Sequence, residues 1–585
     1  MLSKETCVWV CLVAVTFIAG CASSPPAPPS ISPSSAALSP GQTIQFNTTF
    51  HGSGTIWSVN SIAAGNSTIG TVDASGNYTA PSAAQSVAVT VTATKSNSSV
   101  SAQVFVVAPG TVVPTKNPQV ALYTITPPAA ASVTVQFGLT TNYGLSTWTQ
   151  QTPAGGGSVG TFVAGMLANS TYHMQATVKF SNGISFADID QTFTTESQPA
   201  ASLPTLAATT TAGQTPQSGV EVLELESKLP VAVTDLDGNV LWGYDPGPVR
   251  GSGGPGPVKL LPNGHFLMGF GSQPDGTGSV IQEVDLGDNV VWQLTAAQLN
   301  QALAAATCTG CNITVIGTHH DFAPLPNGHL VVIAATQQVV SGTTVTGDVL
   351  IDLDQNHKPV WLWNEFDHLD INRRPYMFPD WTHTNAILYS ADDGNLIISI
   401  RHQNWLVKID YNNGAGTGDI IWHLGYQGDF TLLDADGSTD INPIDWFYAQ
   451  HGPSFVTSNT TGKFSLVLFD NGDDRGAAVV AGGTCGVTGQ PACYSTVPVL
   501  NLDETAKTAT LAFNPTTPDY SFFGGNAEAL INGDVEYDEC AAGVNAAIFE
   551  VTQASPSQTV WQMHITGSNA YRGIRTPSLY PGVQW

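Results

Sequence analysis

From about residue 205 the chain repeats one pattern. A tight turn of the Asn-Gly or Asp-Gly type leads into an apolar strand, then a strand ending in Asp, then a strand carrying Trp. "LPNGHFLMGFG" followed by "SVIQEVDLGDNVVWQL" carries Trp292, and "LPNGHLVVIAA" followed by "DVLIDLDQNHKPVWLWN" carries Trp361 and Trp363. "ADDGNLIISIRHQNWLVKIDYNNGAGTGDIIWHLG" carries Trp422. Weaker copies surround 485–513 and 526–561, and a partial copy, "EVLELESKLPVAVTDLDGNVLWGYD", opens the region. A repeat of this length cannot bury its apolar face alone and must stack on its neighbours. Six units of about four strands fit a six-bladed β-propeller over 201–585, which closes on itself and so removes sheet edges. A solenoid is the alternative. Irregular insertions such as "TAAQLNQALAAATCTGC" favour the propeller, whose loops build a site.

Two further stretches precede this region. Residues 22–110 hold a Pro/Ser tether and then short alternating strands with Trp57 in mid-strand, the texture of a bacterial immunoglobulin-like sandwich. Residues 111–200 repeat that texture, end in a linker, and place Leu167 five residues before Tyr172, as in a fibronectin type III corner. Neither stretch clusters His, Asp or Glu, so both read as spacers. The predicted fold class is therefore all-β, a propeller preceded by two sandwiches.

The first 21 residues have the layout of an export signal: Lys4, an apolar run, then Ile18-Ala19-Gly20-Cys21. The ending resembles a lipobox, in which Cys21 is acylated and becomes the mature N-terminus. Ala22 follows, where Asp would favour inner-membrane retention, so the expected location is the periplasmic face of the outer membrane or the cell surface. Membrane contact is expected through this lipid anchor only. In that oxidising compartment Cys308/Cys311 and Cys485/Cys493 are expected disulfides, with Cys540 left over.

Net charge is −27 and only 10% of residues are charged. Such a chain lacks the basic footprint of a nucleic-acid binder, so none is expected as a partner. An anionic substrate would need a local cluster of donors. "GSGGPG" at 251–256 satisfies GxGxxG, but it contains proline and no helix follows, so no dinucleotide site is expected. No other cofactor motif appears, and no cofactor is expected.

Three successive units carry histidine at one repeat position. His383 and His451 each lie eleven residues before a turn glycine, Gly394 and Gly462; His320 lies eight before Gly328. His319 is the competing choice in that unit. Packing would select apolar residues at such a position, whereas titratable groups converging on a channel mark a site. Asn385 lies two residues beyond His383, on the same face by strand alternation, and Arg401 ends the next strand. Three histidines can ligate a metal, and Asp321 keeps that reading open. Arg401 and Asn385 argue instead for a tetrahedral oxyanion, because a guanidinium beside a metal cation is unfavourable. No metal is expected.

"DWTHTN", "SIRHQNWLVKID", "QHGPSF" and "LVLFDNGDDRG" together resemble the bacterial arylsulfate sulfotransferases, and "AYRGIRTPSLYP" is similar to that family's closing segment. The resemblance covers about 205–585. It implies transfer of a sulfuryl group from an aryl sulfate to a phenol without a nucleotide donor, by ping-pong catalysis through a sulfohistidine. It implies His451 as nucleophile, with Arg401, His383 and His320 neutralising the sulfate oxygens and Asn385 binding or orienting. The partners implied are phenolic sulfates and phenols; a homodimer is allowed. His402, Asp470, Asn471 and Arg475 are left as either braces of the site or turn contacts. Gly452-Pro453 and Asp473-Asp474 depart from the family pattern and put substrate choice in question. The competing reading is a non-catalytic surface propeller that binds glycans or proteins.

Overall fold

The computed structural model describes residues 27–199, 203–250, 255–271, 278–439, 443–459, 462–475, 485, 492–541 and 545–585. Cys21 and the leader lie outside the described residues, as does most of the "GSGGPG" stretch. The chain is all-β: among the described residues the two α-helices are Ala296–Ala305 and Glu365–His368. None is long and apolar enough to cross a membrane.

The chain divides into two compact units. The first runs to Ala108 and includes Pro127–Ala129. Its five-stranded sheet contains Ile56–Val59, Val89–Lys95 and Ser98–Val106, the last paired in parallel with Ser35–Leu38. A four-stranded sheet contains Thr43–Gln45 and Asn77–Thr79. Both contribute to one core around Trp57, Phe46, Tyr78 and Val104. Strict alternation in Val89–Lys95 puts Val89, Val91 and Ala93 inside and leaves the threonines between them half-buried.

The second unit holds the rest of the chain. It opens with two small sheets, one built on Ala121–Ile125 and one on Ala131–Gly138 paired with Thr171–Phe180. The Tyr172 hydroxyl accepts the Leu167 amide at 3.0 Å, the corner that the spacing predicts. This stretch is not a loose spacer. Val120 and Ala164 share a core with Trp242, Phe266 and Tyr580 of the repeat region. The Tyr580 hydroxyl donates to Phe162 O at 2.8 Å and accepts from Ala164 N at 2.7 Å.

The repeat region forms six sheets of four or five strands. Their first strands are β1 (Pro255–Leu260), β2 (Gly317–Pro324), β3 (Thr384–Ser390), β4 (His451–Thr457), β5 (Ala527–Ala529) and β6 (Ala570–Thr576). β6 is the last strand of the chain, yet it pairs with Val220–Leu225 from the start of the region. Likewise Thr205–Thr210 pairs with Thr559–Thr566. Start and end of the region are thus held by backbone ladders. β1 meets β2, β2 meets β3, β3 meets β4 and β4 meets β5, while β6 contacts both the strand beside β5 and β1.

The repeated tryptophan explains the stacking. Trp242 Nε1 donates to Leu286 O, Trp363 to Gly418 O, Trp422 to Glu504 Oε1 and Trp561 to Leu236 O, at 2.8–3.0 Å. Each bond crosses to the next sheet in order, and the Trp561 bond crosses from the last to the first. All four rings are fully buried. A buried indole contributes several kcal/mol of packing, and its N–H selects the partner.

Candidate active site

The first strands carry the candidate residues at their starts, where pairing is interrupted. The β2 ladder skips from Thr318 to Phe322, leaving His319, His320 and Asp321 out of register. β3 is bulged at Asn385 and β4 at Gly452-Pro453. Such bulges redirect side chains. His320 and His383 both adopt left-handed backbone, φ +56° and +55°. That conformation is uncommon for non-glycine residues and gathers at functional positions. The bulge and the positive φ also break the alternation that would place His383 and Asn385 on one face. Asn385 Nδ2 donates instead to Gln450 O at 2.7 Å, bracing the residue before His451.

The structure brings His320, His383, His451 and Arg401 together. The rings of His320 and His383 are 4.7 Å apart; that of Tyr571 lies 5.9 Å from His320 and 6.2 Å from His451. In each histidine, Nδ1 is turned to a partner. His451 Nδ1 is 2.6 Å from Asn471 Oδ1. Asn471 cannot present its NH2 there, because Nδ2 donates to Ser521 O and Gly524 O at 2.8 and 3.0 Å. His451 therefore carries its proton on Nδ1 and a lone pair on Nε2. His383 Nδ1 donates to Asp380 Oδ2 at 2.6 Å. His320 Nδ1 is 2.6 Å from His319 Nδ1, whose Nε2 donates to Asp348 Oδ1 at 3.0 Å, so His320 is the donor of that pair. His319 is thus the buttress and His320 the residue facing His383.

Burial, first, and Arg401, second, hold the His383 imidazole down to about 3. Burial likewise keeps His320 and His451 well below the usual range, with neighbouring histidines and Arg401 adding to it. All three are neutral with the site empty.

Arg401 begins a short 3-10 turn after Asn395–Ile400. Its Nη1 donates to His402 Nε2 at 3.1 Å, and its Nη2 to Asp473 Oδ2 and Phe522 O at 2.9 and 3.0 Å. Its Nε is buried and has no hydrogen-bond partner among the described residues, and the same holds for the Tyr571 hydroxyl. A buried donor left unmade costs roughly 1–3 kcal/mol, so two of them against the histidines suit an oxyanion. Burial pushes the Tyr571 phenol up, so it stays a donor.

Asp380, His383 and His402 place ligand atoms within 4.8 Å of one another. His402 cannot ligate a metal in this arrangement: Nδ1 donates to Asp380 O at 2.8 Å and Nε2 accepts from Arg401. Its ring stacks on His383 at 4.5 Å and serves to orient Arg401. Asp321 faces away, paired with Lys259 and Arg572 at 3.0 and 3.4 Å. Asp470 and Arg475 pair at 2.5 Å inside the loop that carries Asn471.

Sequence reasoning did not single out Tyr571, Asp380 or Arg572. Arg572 Nη2 donates to the carbonyls of His320 and Asn385 at 3.3 and 3.0 Å, tying β6 to β2 and β3. The signal was present in "AYRGIRTPSLYP", but only chain closure brings that segment to the histidines. Met377, Phe378 and Phe522, all exposed, flank Tyr376 and the Arg401–Phe522 contact with apolar surface. Cys308–Cys311 and Cys485–Cys493 are disulfide-bonded, and Cys540 is a buried free thiol.

Neutral buried histidines, a guanidinium and a phenol thus gather at one place on an all-β scaffold, a donor set suited to a tetrahedral anion. The chain belongs to the arylsulfotransferase (ASST) family, whose model matches residues 175–572. Arylsulfate sulfotransferase AssT of Lelliottia amnigena is 29% identical over 109 residues, and AssT of Escherichia coli O6:H1 is 28% identical over 109. Each match covers 16% of this chain and 17% of the relative. Among solved structures, a hypothetical selenium-binding protein of Sulfolobus tokodaii aligns over 77% of this chain and 93% of its own, with 10% identity and a TM-score of 0.34. That likeness is too low to carry an argument.

Proposed function

We propose that this protein transfers a sulfuryl group from an aryl sulfate to a phenol through a sulfated His451. The observation that carries the reading is the difference in what backs each histidine. His451 is held by a neutral amide, whereas His383 is held by the Asp380 carboxylate and His320 by the His319–Asp348 pair. A carboxylate supports an imidazolium much more strongly than an amide oxygen does; the Asn471 contact also raises His451, but burial and Arg401 outweigh it. The nucleophile therefore stays neutral while its neighbours are able to take protons, a separation of roles set by environment.

In the first half-reaction His451 Nε2 attacks sulfur and the S–O bond to the aryl group breaks. A sulfate monoanion next to His383 and His320 favours their protonated form, and Nε2–H of one of them donates to the departing phenolate. Arg401 and Tyr571 hold the oxygens as charge shifts. In the second half the acceptor phenol returns its proton to that imidazole, its oxygen attacks sulfur, and the N–S bond breaks. Asn385 and Asn471 keep His451 in place.

The scaffold we propose is a six-bladed propeller preceded by an immunoglobulin-like and a fibronectin-like sandwich. It is supported by the six sheets, the four tryptophan bonds that each cross to the next sheet, and the pairing of β6 with Val220–Leu225. Export and acylation at Cys21, with an outer-membrane location, complete the proposal. The test is sulfate transfer from p-nitrophenyl sulfate to phenol without a nucleotide donor. We expect activity in the wild type and none in folded His451→Ala; equal activity in both would remove His451 as nucleophile.

A further inference from the structure

Asp473 is buried, yet it is held by three donors from three segments. Arg401 Nη2 and the Tyr376 hydroxyl reach Oδ2 at 2.9 and 3.2 Å, and the Tyr520 hydroxyl reaches Oδ1 at 2.6 Å. The carboxylate thus sits directly on the guanidinium that faces the histidines. The neighbouring Asp474 adopts φ +51°, a turn conformation that Asp tolerates.

Both guanidiniums near the histidines are thus countered by a carboxylate. Arg401 is paired with Asp473 and Arg572 with Asp321. The imidazoles of His320, His383, His402 and His451 are all pushed toward neutrality, chiefly by burial. A sulfate ester and a phosphate ester have the same tetrahedral shape, but the first carries one negative charge and the second carries two. Shape does not separate them; the charge facing them does.

We propose that Asp473 is a specificity-determining residue that makes this site accept monoanionic sulfuryl esters and reject dianionic phosphoryl esters of the same shape. This rests on the sulfuryl-transfer reading above. Asp473 acts through Arg401: by opposing its charge it leaves enough attraction for one negative charge and too little for two.

The relation has a quantitative form. If removing the carboxylate charge tightens a monoanion by some factor, it tightens a dianion at the same place by about the square of that factor, because Coulomb energy scales with charge. The probes are benzenesulfonate and phenylphosphonate, neither of which transfers its group. Their affinities are measured by calorimetry on the full chain at about pH 9, above the range of a buried carboxyl. In Asp473→Asn, which keeps an oxygen for Arg401, we expect benzenesulfonate to tighten about tenfold and phenylphosphonate about a hundredfold. An equal change for both, or a loss for both at constant ratio, would overturn the proposal and leave Asp473 a purely structural contact. If Asp473→Asn does not fold, Asp473→Ser serves, with the same ratio as readout. Wild-type transfer from p-nitrophenyl sulfate to phenol is measured in parallel. Transfer without a ratio shift sinks only this proposal; absence of both transfer and benzenesulfonate binding sinks the reading beneath it.

Discussion

Asn471 holds Nδ1 of His451 at 2.6 Å, and its own amide is locked by the carbonyls of Ser521 and Gly524. A neutral residue thus fixes the tautomer of the proposed nucleophile and favours a second proton less than a carboxylate would, so burial and Arg401 keep the ring neutral. Asn471→Asp should raise the His451 pKa, because a carboxylate stabilises the imidazolium. The acid limb of the rate–pH profile should move to higher pH, by about one unit or more. An unmoved limb in a folded variant would show that His451 is not the group being titrated.

Donor binding should take up a proton. With the site empty, His383 titrates at about 3 and is neutral at physiological pH, so its Nε2 has no hydrogen to give an oxyanion. A bound anion raises that pKa, and the donor KM should therefore rise as pH rises. Calorimetry in buffers of different ionisation enthalpy reads the uptake directly. Asp380→Asn should reduce the uptake and weaken donor binding by about tenfold, the scale of one charge-assisted hydrogen bond.

Glu224 is buried, and burial pushes its carboxyl to about 7, against the pull of Arg572. A folded-state pKa above the unfolded value means that its stability contribution is complete below about 4.5 and is lost as pH rises through about 7. Glu224→Gln should therefore flatten the fall in melting temperature between those limits. A parallel displacement of the whole curve would contradict this. Buried His383 and His402, both held near 3, act in the opposite sense and weaken the fold as pH drops below the usual histidine range.

The tryptophan bonds between sheets are testable one at a time. Trp363→Phe removes the donor to Gly418 O and leaves a buried carbonyl without it. The expected loss is about 1–3 kcal/mol, read by denaturant unfolding. An unchanged midpoint would show that the bond does not hold these sheets together.

The repeat pattern made the strands, the tryptophans and three of the histidines legible, because each recurs at fixed spacing. The disulfides were legible because their cysteines are near neighbours. Asn385 was misplaced on the His383 face because a bulge at that residue is invisible in an alternating pattern. Tyr571 and Arg572 were missed because their contacts with His320 span some 250 residues and exist only once β6 has returned to the first sheet. Asn471 was noticed, but its role depends on two carbonyls about 50 residues away.

The central claim is a covalent intermediate on His451. The direct measurement is mass spectrometry of the intact and digested protein after incubation with p-nitrophenyl sulfate in the absence of phenol. We expect an acid-labile adduct of about 80 Da on His451 that disappears when phenol is added and is absent from His451→Asn, as covalent catalysis requires. Efficient transfer to phenol with no adduct on His451 at any time would contradict the account.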